Sequence, residues 1–296
     1  MSAIWGLISN NTISSQTISN MQQSMQDFKI DHYDHIIQPN VYFACGHQYF
    51  TNESMNDKSP IYDEKSHVYF TGDCFLYNRA EVIQALSSHN VQQLLPNEDL
   101  SLLGDVHLSY LGFLLWGESF VTHLKGSFSF AIYDTTQKTL LLYTDHLACR
   151  YLAYYIDKQD VCFSTVYQPI HAFCGKSNLK LSKEWIATAY TDCTSDTLKI
   201  PGATVYDNIY HIEAGHYVKI DLNSKKVTNI TYWNPLNSNI RLYKATDQEY
   251  KELFNSTFNS VIKGMLRARN NTGISLSGGL DSSAVAGFAA VNLKAQ

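Results

Sequence analysis

The residues best suited to chemistry lie near the end of the chain, in a run of serines and glycines around one aspartate, residues 277–283. The adjacent Gly278 and Gly279 carry no Cβ, so successive backbone N–H groups can converge on one phosphate. Residues 273–276 predict a short buried strand, and the small and apolar residues 284–290 predict a helix. The unsatisfied N–H groups and the dipole at the helix N-terminus point at the same place. This pattern predicts a polyphosphate site.

Asp281 indicates that a metal ion accompanies the phosphates. A carboxylate beside a polyphosphate repels it unless a cation lies between them, and Mg²⁺ prefers such oxygen ligands. No Lys follows the glycines, so the run is not a Walker A loop. The alternative is an ordinary helix start in which Ser277 or Asp281 is the cap and the turn merely needs glycine. The complete run between a strand and a helix favours the phosphate site.

Residues 276–283 resemble the pyrophosphate-binding loop of the asparagine synthetase superfamily. Members of that superfamily adenylate a carboxylate with ATP and transfer the acyl group to an amine. The resemblance implies ATP and Mg²⁺ as cofactors, with Mg²⁺ on Asp281 and Leu276 near the nucleotide. The nucleotide-binding residues that it implies are Leu276, Ser277, Gly278, Gly279, Leu280, Asp281, Ser282 and Ser283.

Composition narrows the class of protein. The chain has 296 residues, of which 45% are hydrophobic and 17% charged, as expected for a globular protein with a real core. Its formal net charge of −5 gives no reason to expect a nucleic-acid partner. No segment approaches the length needed to span a bilayer, and no signal peptide is recognisable. The six cysteines include no CxxC pair, which favours reduced thiols and a cytoplasmic location over a zinc site or a disulfide framework.

Upstream of the loop, the pattern predicts many strands with a few helices between them. Residues 128–133 and 140–144 predict a β-hairpin, and further strands are predicted at residues 41–50, 67–71, 152–156, 161–165 and 216–220. Residues 79–88 and 105–116 predict helices. A first strand begins at the N-terminus, and together these elements predict layered sheets covered by helices. After a linker, Thr246 and Glu249 form a capping-box pattern. The helix that follows keeps an apolar i, i+3, i+4 spacing, which predicts that one of its faces is buried.

The resemblance to the superfamily continues upstream. Residues 124–134, 140–155 and 202–206 are similar to the core and closing segments of its glutaminase domain. This implies a four-layer αββα N-terminal-nucleophile (Ntn) hydrolase fold of the α+β class for residues 1–231, a type 2 glutamine amidotransferase-like domain. Residues 232–296 are then the linker helix and the first strand, loop and helix of an α/β ATP-pyrophosphatase domain.

The same resemblance implies that the glutaminase site is degenerate. Ser2 stands where the family has its Cys nucleophile, activated by a free α-amine. Gln48 stands in place of the Arg that holds the glutamine carboxylate. Thr71 and Gly72 stand at the Asn-Gly pair of the oxyanion hole, so the Asn side chain is replaced and the Gly is kept. Asp105 matches the acid that holds the glutamine amine, although a helix N-terminal acid favoured by the dipole is our preferred interpretation. Losing one oxyanion donor alone costs roughly 10²–10³ in rate, so we expect no glutaminase activity.

Three hypotheses remain open for the function. The first is an ATP- and Mg²⁺-dependent amide ligase that uses an amine in its small-molecule or peptide substrate. Residues 72–81 resemble the divergent branch of the superfamily that works in this way and lacks the Cys, the β-lactam synthetases and lasso-peptide macrocyclases. The second is an asparagine synthetase supplied with ammonia or glutamine. The third is a non-catalytic fragment or partner subunit.

The short stretch after the loop raises a further expectation. One strand and one helix cannot bury a parallel sheet. We therefore expect the chain to be a fragment or a second polypeptide to complete its ATP domain, and this chain alone to be inactive. We also expect the helix after Ser283 to expose Val285, Phe288, Ala289 and Val291.

Overall fold

The strands and helices are taken from a computed structural model, which describes residues 2–89, 99–191, 202–237 and 246–294. The strands in these residues, in chain order, are β1 (Ala3–Ser9), β2 (His32–Gln38), β3 (Val41–His47), β4 (Ile61–Asp63), β5 (Val68–Leu76), β6 (Gly126–Asp134), β7 (Thr139–Thr144), β8 (Ala153–Ile156), β9 (Asp160–Ser164), β10 (Ile209–His211), β11 (His216–Asp221) and β12 (Val227–Thr231).

These strands form two six-stranded antiparallel sheets. The first has the order β10-β8-β9-β1-β3-β2, so the N-terminal strand β1 lies at its centre. The second has the order β12-β11-β7-β6-β5-β4. The predicted hairpin is confirmed as β6 and β7, with Phe130 opposite Tyr143. The central position of β1 holds the N-terminus in the interior rather than at a free edge.

The helices in the described residues are α1 (Ser15–Gln23), α2 (Arg79–Ser88), α3 (Asp105–Trp116), α4 (Tyr167–Cys174), α5 (Lys183–Thr191), α6 (Asp247–Met265) and α7 (Leu280–Lys294). The predicted bounds of α2 and α3 are confirmed.

The two sheets and their helices stack in four layers. Side chains such as Ile4 and Leu142 fill the space between the sheets. On the outer face of the first sheet, Trp5 packs with residues of α1 and α4. On the outer face of the second sheet, Phe70 packs with residues of α2 and α3, among them Leu86. The αββα arrangement implied by the family resemblance is confirmed.

Helix α6 begins as predicted but is less buried than predicted. Thr246 accepts from the backbone N–H of Glu249, whose carboxylate accepts from the backbone N–H of Thr246, so the capping box is formed. The prediction of a buried face is wrong for most of the helix, since Phe254 remains 60% exposed. Only Ile262 and Leu266, at its C-terminal end, are buried, because no other element in the described residues covers the N-terminal turns.

The predicted strand before the glycine loop is wrong. Residues 273–276 are not in a strand, and Leu276 is 65% exposed. A strand needs a neighbour to receive its N–H and C=O groups, and none pairs with this segment in the described part of the chain. In the described residues after 246, the chain therefore consists of α6, the glycine loop and α7 without a sheet.

Helix α7, in contrast to α6, is more buried than predicted. Ala289 is 1% exposed and packs against Ile262 and Leu266, with Phe288 partly buried beside them. Val291 is 67% exposed, as expected. The partner is α6, which folds back along α7 and shields one side of it.

In the described ranges, no helix combines the length and apolar character needed to cross a membrane. The cysteines described there, Cys45, Cys74, Cys149, Cys162 and Cys174, are all free thiols. Cys193 lies outside the described residues.

Candidate functional site

A pocket lies where the start of β1 meets β5 and the segment after β3. Ser2 reaches it from the first sheet, Asp73 from the second, and Asp105 from the first turn of α3. The pairing of β1 with β3 and of β5 with β6 fixes these positions, so residues far apart in sequence share one cavity. Its lining is Ser2, His47, Gln48, Phe50, Thr51, Ser54, Asp57, Gly72, Asp73, Cys74, Phe75, Asp105, Val106 and Arg150.

Ser2 is held at both its backbone and its side chain. Its backbone N–H donates to Oδ1 of Asp73 at 3.1 Å. Its hydroxyl oxygen accepts from the backbone N–H of Gln48 at 3.1 Å. The structure thus places the predicted residue Ser2 in the pocket, with one lone pair of its hydroxyl already engaged.

Asp73 and Arg150 form a buried ion pair behind Ser2. Arg150 Nε lies 3.1 Å from Asp73 Oδ2, and their side chains are 14% and 10% exposed. Burial raises the pKa of the Asp73 carboxyl, and the charge of Arg150 partly offsets that rise. No sequence motif marks Arg150, and it is not among the predicted site residues.

Ser59 engages both groups that the resemblance places in the oxyanion hole. Its hydroxyl lies 3.0 Å from the hydroxyl of Thr71 and accepts from the backbone N–H of Gly72 at 3.3 Å. The side-chain amide of Gln48, at the expected carboxylate clamp, donates to the carbonyl of Lys29. An oxyanion is stabilised by donors aimed at the position where its charge develops. These groups instead hydrogen-bond to other residues of the domain.

A second carboxyl, Asp57, lies at the far side of the pocket beside Asp105. Asp57 accepts from the backbone N–H of His107 at 3.2 Å, at the N-terminus of α3. Burial, followed by the charge of Asp105, raises the pKa of Asp57 to about 8. Gly104 is required at this point, because a Cβ there would lie 2.0 Å from the Asp57 carboxyl.

Asp105 is more than the dipole-stabilised acid that we preferred. It is buried, its Oδ1 accepts from Arg79 Nη1 at 2.7 Å, and its Oδ2 accepts from the backbone N–H of Leu76 at 2.8 Å. Arg267, from the segment after α6, also donates to Oδ2. Asp105 is therefore the centre of an ion-pair network, and no spacing in the sequence indicates its arginine partners.

The pocket itself is small, with a volume of about 30 Å³. A single water needs roughly 10–15 Å³ measured in this way. The cavity beside Ser2 is thus narrow, with room for a few water-sized groups.

The glycine loop lies apart from this pocket and is exposed. Gly278 has a φ of +81°, in the left-handed region that favours glycine, and nothing lies within 4 Å of the position of a Cβ. The hydroxyls of Ser277 and Ser282 are 3.0 Å apart, and Ser283 donates to the carbonyl of Gly279 at 2.8 Å. The serine hydroxyls and the first backbone N–H groups of α7 thus lie close together at one exposed turn.

This turn fits an anion accompanied by a magnesium ion. The open space at Gly278 lets a phosphate approach the backbone, and Asp281 in the first turn of α7 supplies a hard oxygen ligand. In the ranges that the structure describes, no group of three or more His, Cys, Asp or Glu side chains could hold a metal ion. From these ranges, Asp281 is the residue that would hold Mg²⁺, with phosphate oxygens as its other ligands.

The family comparison matches residues 1–233, which include every strand of the two sheets, to a glutamine amidotransferase domain. The chain belongs to that family. The match covers both faces of the Ser2 pocket and ends before α6, so the amidotransferase domain contains the pocket and does not include the glycine loop.

Curated relatives agree with this assignment. The chain is 25% identical over 244 residues to asparagine synthetase 2 (glutamine-hydrolyzing) of Bacillus subtilis, covering 80% of this chain and 31% of that protein. It is 23% identical over 239 residues to the amidase chry2 of Gibberella zeae, covering 79% of this chain and 32% of that protein. The chain thus spans about a third of the length of the curated relatives it matches.

A solved structure agrees in fold. The glutamine phosphoribosylpyrophosphate amidotransferase of B. subtilis, in complex with ADP and GMP, superposes with a TM-score of 0.52 at 10% identity, covering 78% of this chain and 49% of that one. At this identity the likeness concerns the fold alone. The amidotransferase domain thus has the two-sheet Ntn-hydrolase architecture.

Proposed function

We propose that this chain is part of an ATP- and Mg²⁺-dependent ligase of the asparagine synthetase family. It activates a carboxylate as an acyl-adenylate and transfers the acyl group to an amine, without hydrolysing glutamine. The amidotransferase domain then serves as a scaffold for the ATP site. ATP supplies the adenylyl group that makes the carboxylate reactive when it is bound.

The observation that carries the proposal is the set of hydrogen bonds around position 2. The residue there is a serine whose oxygen already accepts from Gln48, and no thiol is present at this position. The two groups expected to stabilise an oxyanion, at Thr71 and Gly72, both contact Ser59. A nucleophile without its stabilising donors loses most of its rate advantage.

The ligase half of the proposal rests on residues 276–283 and their resemblance to the pyrophosphate loop. The positive φ of Gly278 and the clustered hydroxyls of Ser277 and Ser282 are compatible with phosphate oxygens at the start of α7. The chain's own residues would bind and orient the phosphates there, with Asp281 holding the cation.

The second candidate is asparagine formation, favoured by the similarity to asparagine synthetase 2 of B. subtilis. In that case the activated carboxylate is aspartate and the acceptor is ammonia. Both candidates require adenylation. They differ in the substrate that stimulates it.

ATP–pyrophosphate exchange tests the proposal, measured on the native protein together with any polypeptide that copurifies with it. We expect exchange that depends on Mg²⁺ and on an added carboxylate, and no glutamate from glutamine in the same preparation. Stimulation by aspartate alone would select asparagine formation. Glutamate production that is lost in Ser2→Ala would contradict the proposal, and absence of exchange with every carboxylate would favour the non-catalytic alternative.

A further inference from the structure

The C-terminal end of α6 is attached to the amidotransferase domain at three neighbouring points. A Cβ on Gly264 would lie 2.6 Å from the carbonyl oxygen of Tyr77, so the two backbones are in close contact. The guanidinium of Arg267 donates to the carbonyl of Leu76 at 3.0 Å. The backbone N–H of Arg269 donates to the carbonyl of Phe50 at 2.7 Å.

Arg267 makes the most demanding of these contacts. One nitrogen, Nη2, donates to both the carbonyl of Leu76 and the carboxylate of Asp105, while the guanidinium carbon lies 4.7 Å from the ring centroid of Phe75. The flat guanidinium of Arg267 lies over the Phe75 ring while Nη2 donates to both oxygens and Nη1 lies 3.7 Å from Glu53. The compact ammonium of lysine does not reproduce this combination of contacts.

The charges around Arg267 are balanced only when it is present. Asp105 also pairs with Arg79 at 2.7 Å, and Glu53 lies 3.7 Å from Arg267 and 3.9 Å from Arg79. Arg79 and Asp105 have side chains that are 8% and 5% exposed. Removing Arg267 leaves two carboxylates facing one arginine in a poorly hydrated site, which is costly.

This contact lies at the end of the helix pair that carries the glycine loop. Helix α7 runs antiparallel to α6, since Ile262 packs with Ala289 and the Asn259 side chain accepts from Asn292 at 2.7 Å. The Phe258 and Phe288 rings meet edge to face at 5.0 Å. Going back from Ala289 along α7 therefore leads towards the level of Arg267 and then to the loop.

We infer that Arg267 is a positioning residue. It fastens the α6–α7 pair to Asp105 on the wall of the Ser2 pocket and so sets the place of the glycine loop relative to the amidotransferase domain. Asp105 thereby acts as the anchor of the second part of the chain. What the loop binds rests on the proposed function. The anchoring itself does not.

Pulsed electron–electron resonance measures this placement directly. One spin label is attached to Cys149 of the amidotransferase domain, which is exposed. The other is attached to a cysteine introduced by Gly287→Cys, where nothing lies within 4 Å of the position of a Cβ. Cys193→Ser removes a further thiol that could react with the label. We expect one narrow distance distribution in the otherwise unchanged protein. Arg267→Met removes the guanidinium and should broaden the distribution at least twofold. Arg267→Lys keeps the charge but loses the flat guanidinium over Phe75, and should recover the narrow distribution only in part.

Arg269→Met is the matched control, because it removes the same charge two residues away while its backbone N–H still reaches Phe50. We expect it to keep the narrow distribution. A distribution that stays narrow in Arg267→Met would contradict the positioning role. Full recovery by Arg267→Lys would contradict the need for the guanidinium, since charge alone would then suffice. Equal broadening in Arg269→Met would also overturn the positioning role.

Hydrogen exchange separates anchoring from loss of folding. Arg267→Met and Asp105→Asn should each speed exchange in residues 258–266 and 284–291 about tenfold or more, and together no further, because each breaks the same contact. Exchange in residues 128–133 of β6 should stay within twofold of the unchanged protein for Arg267→Met. Additive effects would overturn the inference. Absence of ATP–pyrophosphate exchange in the unchanged protein would contradict only the proposed function.

Discussion

The backbone N–H of Gln48 donates to the hydroxyl of Ser2 at 3.1 Å, at the point where β1 enters the pocket. In the same pocket the backbone N–H of Ser2 donates to Asp73. Ser2, which faces the cavity from the nucleophile position, is thus held by the fold at its backbone and at its side chain. Its hydroxyl is a weak nucleophile unless a base activates it.

We expect that the protein releases no glutamate from glutamine, and that Ser2→Cys does not restore this activity. A thiol alone lacks an oxyanion hole while Ser59 engages Thr71 and Gly72. Glutamate formation is measured by an enzyme-coupled assay, with Ser2→Ala as the control. Activity in Ser2→Cys alone would show that the present donors suffice.

We expect that Arg150→Met destabilises the amidotransferase domain by about 3–5 kcal/mol, because the buried carboxylate of Asp73 loses its partner. Asp73→Asn in the same chain should recover much of that loss, since no charge is then left unpaired. Urea unfolding of both single variants and the double variant gives the coupling energy. Additive effects would mean that the pair does not interact.

Asp57 should make stability depend on pH. Its pKa rises on folding from 3.8 to about 8, so between these values the folded protein binds a proton that the unfolded chain has lost. This contribution to stability is complete below pH 3.8 and is lost as pH rises towards 8. Asp57→Asn should therefore raise the free energy of unfolding, relative to the unchanged protein, more at pH 8 than at pH 5. Urea unfolding at both values checks this. An equal effect of Asp57→Asn at both values would contradict the shift.

In the native protein, Asp281→Asn should lower ATP–pyrophosphate exchange by orders of magnitude with little effect on folding, because the amide keeps the shape but removes the charge that holds Mg²⁺. Asp247→Asn is the matched control, since it removes an exposed acid from the first turn of the neighbouring helix α6. Exchange at the unchanged rate in Asp281→Asn would return this residue to the role of a helix cap.

Gly278→Ala should also impair exchange, although nothing lies within 4 Å of the new Cβ. The cost is conformational, because φ of +81° is left-handed and an alanine there loses about 1–2 kcal/mol. Gly273→Ala is the control, with equally open space and no positive φ. Equal effects of the two substitutions would show that the turn conformation is not what matters.

The sequence by itself determined those features that depend on near neighbours. The bounds of α2 and α3 and the capping box of Thr246 and Glu249 follow from apolar spacing and a contact over three residues. The glycine turn with its positive φ at Gly278 is equally local. The family resemblance additionally indicated the αββα fold and the changes at Ser2, Gln48 and Thr71.

Tertiary structure decided the features that depend on distant partners. The edge strands β2, β4, β10 and β12 were not predicted, because a short strand at the edge of a sheet is specified by its neighbour rather than by its own pattern. Residues 273–276 have the pattern of a strand but do not form one, because no neighbouring strand pairs with them in the described part of the chain. The contact of Arg267 with Asp105 joins residues 162 positions apart, and only the packing of α6 on the first domain brings their charges together.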